Sequence, residues 1–346
     1  YIQLKIMKIY KVGGAIRDSL LGKEPKDSDW VVVGSSPEEM IARGFKPIGK
    51  DFPVFLHPKT NEEYALARTE KKTGYGYKGF NFFFGKEVTL EQDLSRRDLT
   101  INAIAQDEHG NIIDPFNGRG DIAKKVFRHV SDAFIEDPLR SLRLARFHSY
   151  EHLEQFTIFK DTKEILKKIA NSGEIEKLSP DRFWSEINKG LLSKNSTAFF
   201  NQMIELDICK YFMPNLSNPN CGTSDAPDTK WAELQNKNDF PLSNILPIPN
   251  NFTHAVNLLE LLKKITKNTK IDDLNKIIQE INVSRNRELI NKLLVVECLA
   301  ESNNLIKKIM SAVHEIDFSV LRDIEPRKIQ EKKDTMYNEI LTRFYE

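Results

Sequence analysis

Two aspartates two positions apart, Asp27 and Asp29, stand at the start of the apolar run Trp30-Val31-Val32-Val33. Side chains alternate along a strand, so carboxylates at i and i+2 of such a run point the same way. A pair of this kind can hold a hard divalent cation through oxygen ligands. Alone, Asp-x-Asp in the polar stretch Lys26-Asp27-Ser28-Asp29 would read as a turn. The segment before it argues otherwise: Gly13-Gly14-Ala15-Ile16-Arg17-Asp18-Ser19-Leu20-Leu21-Gly22. A Gly-Gly turn ahead of a helix lets backbone N–H groups approach a polyphosphate closely. Arg17 adds a forked donor for phosphate oxygens. A phosphate cradle next to a metal-binding carboxylate pair is the equipment for in-line displacement at phosphorus.

Two further clusters carry charge at useful spacing. In Glu91-Gln92-Asp93-Leu94-Ser95-Arg96-Arg97-Asp98-Leu99-Thr100-Ile101-Asn102, Arg96 and Arg97 suit phosphate or ribose contacts, with Asp98 as an orienting carboxylate. The plainer reading is a charged helix with surface salt bridges. In Glu136-Asp137-Pro138-Leu139-Arg140, followed by Arg143 and Arg146, Asp137 also reads as an N-cap ahead of a first-turn proline. The arginines, three residues apart, drift slowly around one side of a helix, which by itself describes a solvated basic face. Beside a nucleotide, an Asp accepts from the exocyclic amine of cytosine or adenine while an Arg donates to ring nitrogens or a carbonyl. One Asp–Arg pair would then accept C and A and reject U and G.

The elements that must position these groups follow from pattern. Lys8 to Val12 and Asp29 to Gly34 read as strands, with a short helix from Ala15 to Leu21 closed by Gly22 between them. Val54 to His57 and Glu63 to Ala67 read as a hairpin around Lys59-Thr60-Asn61. Residues 69–89, with four glycines and many aromatics, read as a mobile loop. Pro138 to Tyr150 is helical by spacing, and residues 160–346 are mostly helical, with examples at Phe183 to Leu192, Ala255 to Ile265 and Arg287 to Ala300. Residues 214–252, holding many prolines, read as a long irregular connection. The fold class expected is α+β: a head with a small mixed sheet over residues 7–135, then an all-helical neck over 136–200 and an all-helical body over 201–346.

Bulk composition limits the alternatives. The chain has 346 residues, enough for two or three cores, and its formal net charge of +1 shows no basic excess. An RNA-binding surface would have to come from local clustering of Lys and Arg. Cys209, Cys221 and Cys298 are widely spaced and odd in number, which argues against a disulfide framework or a zinc site and for isolated thiols in a reducing cytosol. No apolar run suits a membrane span, so a cytoplasmic protein without a membrane partner is expected.

The three charged segments resemble the class II tRNA nucleotidyltransferases of the DNA polymerase beta superfamily, nearly continuously over residues 7–150 and more weakly to about residue 195. Gly49-Lys50-Asp51-Phe52-Pro53-Val54-Phe55-Leu56-His57 and Glu62-Glu63-Tyr64-Ala65-Leu66-Ala67-Arg68-Thr69-Glu70 resemble the gammaproteobacterial CCA-adding branch. The resemblance implies a polymerase-beta-like head. It implies that Gly14 and Arg17 contact the triphosphate and that the catalytic Asp27 and Asp29 bind Mg2+. It implies that Arg97, Arg143 and Arg146 contact the nucleotide and that Asp137 and Arg140 select the base, with Glu63 a third acidic group near the metals. Residues 69–89 match the loop implicated in switching from C to A, and Ser179-Pro180-Asp181-Arg182 resembles a neck motif that reads equally as a helix cap with Pro at N1. The partners implied are CTP, ATP and the acceptor arm and 3′ end of tRNA, with no DNA expected. The long form of that branch carries a His-Asp doublet. This chain has none, and His254 and His314 stand alone, so no phosphatase or phosphodiesterase activity and no nickel or second metal site is expected. A poly(A) polymerase, a partial CC- or A-adding enzyme, and a non-catalytic RNA-binding relative remain open on the sequence.

Overall fold

The computed structural model describes residues 7–25, 27–48, 53–72, 74, 80–238 and 241–343. Gly49 to Phe52 of the branch-like motif, and Thr73 and residues 75–79 of the expected loop, lie outside the described residues. The chain divides into two compact units. One is Tyr1–Glu186 with Gln202–Phe212, the other Ile187–Asn201 with Met213–Glu346.

The first unit is built on a seven-stranded mixed sheet. Its strands are β1 (Lys8–Val12), β2 (Asp29–Val33), β3 (Lys46–Pro47), β4 (Val54–Leu56), β5 (Glu63–Leu66), β8 (Ala105–Gln106) and β9 (Ile112–Ile113), in the order β3-β4-β5-β2-β1-β8-β9. Between β1 and β2 runs helix α1 (Gly14–Leu20); α2 (Pro37–Ala42) follows β2. β1 pairs antiparallel with both β2 and β8, and β2 pairs parallel with β5. Alternation along β2 sends Val31 to one face and Val32 to the other. Each joins its own apolar cluster, Val31 with Val12, Leu94 and Ala103, and Val32 with Met40, Phe55 and Leu66. A sheet covered on both faces is a rigid base, and Asp29, on the face of Val31, sits at the rim of that base where β2 begins.

The expected hairpin is present as β4 and β5, joined through an Asn61 with positive φ. The expected helix from Ala15 to Leu21 is α1, and Gly22 beyond it has φ +73°. The expected mobile loop is different. β6 (Arg68–Lys72) and β7 (Phe80–Phe84) pair antiparallel over five residues, with Arg68 opposite Phe84 and Glu70 opposite Phe82. The aromatic run Phe82-Phe83-Phe84 has strand propensity that the surrounding glycines masked.

From α3 (Leu90–Ser95) the chain turns helical, through a 3-10 turn at Thr100–Asn102, α4 (Gly118–Lys124) and α5 (Leu139–Phe147). A short parallel pair, β10 (Val126–Phe127) with β11 (Thr157–Ile158), precedes α6 (Lys160–Asn171) and α7 (Pro180–Leu191). Thr89 opens α3 with a capping box in which its side chain and that of Gln92 satisfy each other's backbone N–H groups.

The second unit is helical. After α8 (Ser196–Glu205) come α9 (Pro227–Asn236), α10 (Asn250–Lys263), α11 (Ile271–Ile281), α12 (Val283–Leu293), α13 (Asn303–His314) and α14 (Ile329–Thr342). Leu274, Ile278 and Ile281 of α11 are buried at helical spacing. The irregular connection expected over 214–252 contains α9. Its Trp231 is 1% exposed, and the Nζ of buried Lys230 donates to the carbonyls of Leu191 and Ser193. The flanking prolines and asparagines hid a helix that buries seven of its ten residues. The helix expected from Arg287 to Ala300 starts earlier, at Val283, and ends at Leu293, six residues before a short turn at Glu297–Leu299 finishes. No helix among the described residues is long and apolar enough to cross a membrane.

A close backbone approach ties α4 to the 3-10 turn. A Cβ on Gly118 would lie 2.2 Å from the carbonyl oxygen of Thr100, and the Thr100 hydroxyl donates to Asp121 at 2.7 Å. Gly118→Ala must push backbone against backbone, a cost of about 1–3 kcal/mol for overpacking. Urea unfolding of the variant should show a lower midpoint with an unchanged slope.

Candidate nucleotide site

The Gly-Gly turn places three groups. Gly13 has φ +74°, and a Cβ there would lie 3.0 Å from Nη1 of Arg97 and 3.8 Å from Oδ2 of Asp29. Gly14 opens α1, and a Cβ on it would lie 3.4 Å from Nη2 of Arg17. Gly14, Arg17, Asp29 and Arg97, far apart in sequence, therefore gather around one turn. Only glycine lets the backbone pass between the Arg97 guanidinium and the Asp29 carboxylate in that left-handed conformation.

Beside the turn lies an open cleft of about 240 Å³, whose charged lining is Asp29, Glu63, Arg68, Arg96 and Arg97. The β2–β5 register, with Trp30 beside Tyr64, puts Glu63 next to Asp29 at the same sheet end. Asp27 is exposed in a bend just before β2, and Asp29 is the exposed first residue of the strand. Among the described residues no three His, Cys, Asp or Glu side chains form a closed metal cage. Among those residues the carboxylates of Asp27, Asp29 and Glu63 also form no hydrogen bond or ion pair. Open carboxylates without a cationic partner fit a hard divalent ion whose remaining ligands are water and phosphate oxygens.

The arginines are in the opposite condition. Arg17 is 4% exposed; its Nη1 donates to Oδ1 of Asn102 at 2.6 Å and its Nε to Oδ1 of Asp18 at 2.8 Å. Nδ2 of Asn102 donates to Oδ1 of Asp98 at 2.9 Å, and Nε of Arg143 donates to Oδ2 of the same carboxylate at 2.8 Å. One buried chain thus runs from the Gly-Gly helix to α5. Burial works to raise the Asp98 pKa, but Arg143, the Asn102 hydrogen bond and Arg140 outweigh it and hold the carboxyl well below its ordinary value. Asp98 in turn keeps Arg143 charged, against burial.

A second network surrounds Asp93, which is fully buried. It accepts from the backbone N–H of Arg68 and from the guanidinium groups of Arg96 and Arg97. Burial again pushes its pKa up, and Arg96 and Arg97 bring it below the usual carboxylate range. Glu70 of β6 accepts from Arg68 at 3.1 Å and from Arg96 at 2.8 Å. The salt bridges of the plainer reading are present, from Asp93 to Arg96 and Arg97, but their carboxylate lies inside the protein rather than on its surface. Arg97 keeps a buried Nε with no hydrogen-bond partner among the described residues. A desolvated donor left over beside a cleft is the kind of group that an anionic ligand satisfies.

The pair expected to select the base, Asp137 and Arg140, is held by other residues. Asp137, just ahead of Pro138 and α5, accepts from the N–H of Leu139 at 3.1 Å, and its Oδ2 accepts from Arg182 at 3.0 Å. Arg182 ends the segment Ser179-Pro180-Asp181-Arg182, where the helix cap read from the sequence is present: its N–H donates to the Ser179 hydroxyl at 3.3 Å. Arg140 donates to the carbonyls of Ala133 and Arg96, at 3.1 and 2.6 Å. Arg146 is 5% exposed; its Nε donates to Glu186 at 2.6 Å and Nη1 to the Tyr150 hydroxyl. Sequence reasoning missed Asp18, Asn102, His152, Phe147 and Glu186. Asn102 and His152 reach Arg17 and Asp18 across 85 and 134 residues, and Glu186 reaches Arg146 across 40, links that no local pattern carries.

Comparison with known proteins places this arrangement. A family model described as the poly A polymerase head domain matches residues 9–128, and one described as a probable RNA and SrmB-binding site of polymerase A matches residues 155–218. The multifunctional CCA protein of Shewanella frigidimarina is 61% identical over 195 residues, 56% of this chain and 47% of that protein. The CCA-adding enzyme of Pseudomonas putida is 55% identical over 210 residues, 61% of this chain and 57% of that protein. The chain thus spans about half the length of these two relatives. The CCA-adding enzyme of Coxiella burnetii is 40% identical over 340 residues, 92% of this chain and 89% of that protein. Among solved structures, the Bacillus stearothermophilus CCA-adding enzyme in complex with CTP superposes with a TM-score of 0.65 at 24% identity, covering 96% of this chain and 78% of that one. The Thermotoga maritima enzyme complexed with tRNA does so with a TM-score of 0.66 at 21% identity, covering 97% and 91%. At these identities the likeness is one of fold.

The depressed pKa values of Asp93 and Asp98 make stability depend on acid. A carboxyl held lower in the folded state adds stability that is present above its unfolded value, about 3.9, and is lost as pH falls through the folded value. Unfolding free energy should therefore decline below about pH 4. Asp98→Asn leaves Arg143 without its counter-charge. Because the Arg143 side chain is 36% exposed, the cost is discounted to about 1–3 kcal/mol at pH 7. Denaturant titrations from pH 7 to pH 3 should show the variant less stable at pH 7 and with a shallower acid slope.

Proposed function

The chain belongs to the CCA-adding enzyme family, and on that premise we propose that it builds and repairs the 3′-terminal CCA of tRNA from CTP and ATP, releasing pyrophosphate. The observation that carries the reading is the contrast at the cleft. Among the described residues Asp29 and Glu63 line it without an ion-pair partner, next to Arg97 with an unsatisfied buried donor. That separation of sign suits a metal–triphosphate complex, with the ion at the sheet end and the phosphates against the arginines.

Nucleotidyltransferases of this family use divalent metal ions, and magnesium is the ion proposed here. Asp27 and Asp29 would hold it. When bound, it lowers the pKa of the attacking 3′-hydroxyl and neutralises charge on the phosphates. The remaining work falls to the chain's own residues. The N–H groups of the turn at Gly14, with Arg17 and Arg97, would orient the triphosphate so that the hydroxyl of the RNA lies in line with the leaving pyrophosphate. Arg143 would face the nucleotide with the solvated part of its guanidinium. Asp137 and Arg140 would read the base, Asp137 accepting from the exocyclic amine of C or A. The Asp137–Arg182 pair keeps 21% and 24% of its side chains in solvent, so exchanging it for a base amine costs about 1 kcal/mol or less. Arg146 makes a different case: its donors face Glu186 and Tyr150 inside the protein, so its support for the nucleotide runs through α5. The helical region 201–346 is proposed to bind the acceptor arm.

The matched model named for polymerase A keeps poly(A) addition as the second reading. Three tRNA transcripts, ending before CCA, after C and after CC, distinguish the two when each labelled NTP is offered with magnesium. The expected result is extension that stops at CCA, with no U or G incorporated, and a loss of at least about 10³-fold in rate for Asp27→Ala or Asp29→Ala. A long A tail on any RNA would move the assignment to poly(A) polymerase, and incorporation of UTP as readily as CTP would remove the base-reading role of Asp137 and Arg140.

A further inference from the structure

Three guanidinium groups converge on one aromatic ring. Phe147, the last residue of α5, is 4% exposed. The Cζ atoms of Arg17, Arg143 and Arg146 lie 5.3, 5.7 and 5.2 Å from its ring centroid. Arg143 reaches the ring by i,i+4 spacing along α5, and Arg146 is its chain neighbour. Arg17 arrives from α1. Each guanidinium has its own carboxylate, Asp18, Asp98 and Glu186 respectively. Those carboxylates pair with each arginine, and three cations drawn together still repel one another. The negative face of an aromatic ring attracts a cation within about 6 Å. A shared ring therefore gives α1 and α5 a common electrostatic anchor, where an aliphatic side chain of similar size would give only packing.

We propose that Phe147 is a positioning residue that sets the spacing between Arg17 and Arg143, and through them the affinity of the site for the nucleotide triphosphate. The inference rests on the reading of Arg17 as a triphosphate contact. Phe147 touches no substrate itself. It is embedded in aromatic contacts, with Tyr150 at 5.9 Å and Phe127 at 6.3 Å between centroids, so its ring has a fixed orientation against which both arginines are placed. Arg17 and Arg143 are also joined through Asn102 and Asp98. The ring and the hydrogen-bonded chain are two independent ties between the same pair of elements.

Replacing Phe147 by Leu opens a void and confuses packing with electrostatics. The cleaner test keeps the ring's size and drains its quadrupole. Mono-, di- and trifluorinated phenylalanine would be incorporated at position 147 of the full chain, with KM for CTP, KM for tRNA, kcat and thermal midpoint measured for each, and Arg17→Ala as reference. The expected result is a stepwise rise in KM for CTP, reaching about three- to tenfold for the trifluoro ring. KM for tRNA and the thermal midpoint should stay near those of the unmodified protein. A KM for CTP that is flat across the series, while Arg17→Ala raises it, overturns the role of Phe147 and leaves the nucleotide site standing. An unchanged KM for CTP in Arg17→Ala overturns the reading of Arg17 and this inference with it. A rise that tracks a falling thermal midpoint would assign Phe147 to packing alone and would also overturn it.

Discussion

A buried guanidinium cannot shed its proton, so it must be met by an anion or by enough acceptors to replace its water. That requirement organises the first unit. Arg17, Arg140 and Arg146 are 4, 8 and 5% exposed. Arg17 is matched by Asp18 and Asn102, Arg140 by two main-chain carbonyls, and Arg146 by Glu186. Asp93, fully buried, collects Arg96 and Arg97. Removing one member of such a set leaves the other desolvated and alone, at a cost of about 3–5 kcal/mol for a fully buried pair. The identities of these residues are therefore locked to one another before any ligand is considered.

The same requirement explains the exceptions. Near the cleft the carboxylates of Glu70 and Asp93 are saturated by arginine, whereas Asp27, Asp29 and Glu63 at the neighbouring sheet end carry none among the described residues. Asp27, Asp29 and Glu63 are exposed, so water can solvate them where arginine must meet the buried Asp93. Fixed donors on one side and unneutralised acceptors on the other form a dipolar cleft whose charges are in place before the substrate arrives. Such preorganisation makes electrostatic stabilisation effective, since no dipoles need to turn during the reaction. The whole-chain charge of +1 conceals it, because the charges are arranged rather than accumulated.

Much of this was legible in the sequence where chemistry is local. The glycines at 13 and 14 demand a special backbone, and the Asp27–Asp29 spacing needs only a strand to follow. The turn is there and a strand begins at Asp29, with Asp27 in the bend before it; the hairpin at β4 and β5 and the helix bearing Arg140, Arg143 and Arg146 are there too. Two kinds of feature were not legible. The β6–β7 hairpin and α9 lie in stretches whose glycines, prolines and asparagines read as irregular, and tertiary packing overrode that signal. The partners of the arginines lie across long separations: 85 residues between Arg17 and Asn102, 45 between Arg143 and Asp98, and 40 between Arg146 and Glu186. A charge run specifies that counter-charges must exist, not which residue supplies them. So the arginines read as a solvated basic face, when two of them are interior.

Burial then sorts residues that the sequence placed in one class. Arg140, Arg143 and Arg146 follow one another at equal spacing on α5, and nothing in the pattern separates them. The structure does. Arg146 and Glu186 keep 6% and 2% of their side chains in solvent, so drawing Arg146 out toward a ligand would strand a buried carboxylate. Arg143 keeps 36% while Asp98 keeps 6%. It can therefore turn its free edge to an anion without releasing the carboxylate that holds it. Arg140 gives its donors to two main-chain carbonyls, neutral acceptors that water can satisfy in its place, so its exchange toward a base costs less than breaking an ion pair. Three identical side chains on one helix thus fall into an anchor, a half-solvated donor and an exchangeable donor, and the division follows from the partner each one has.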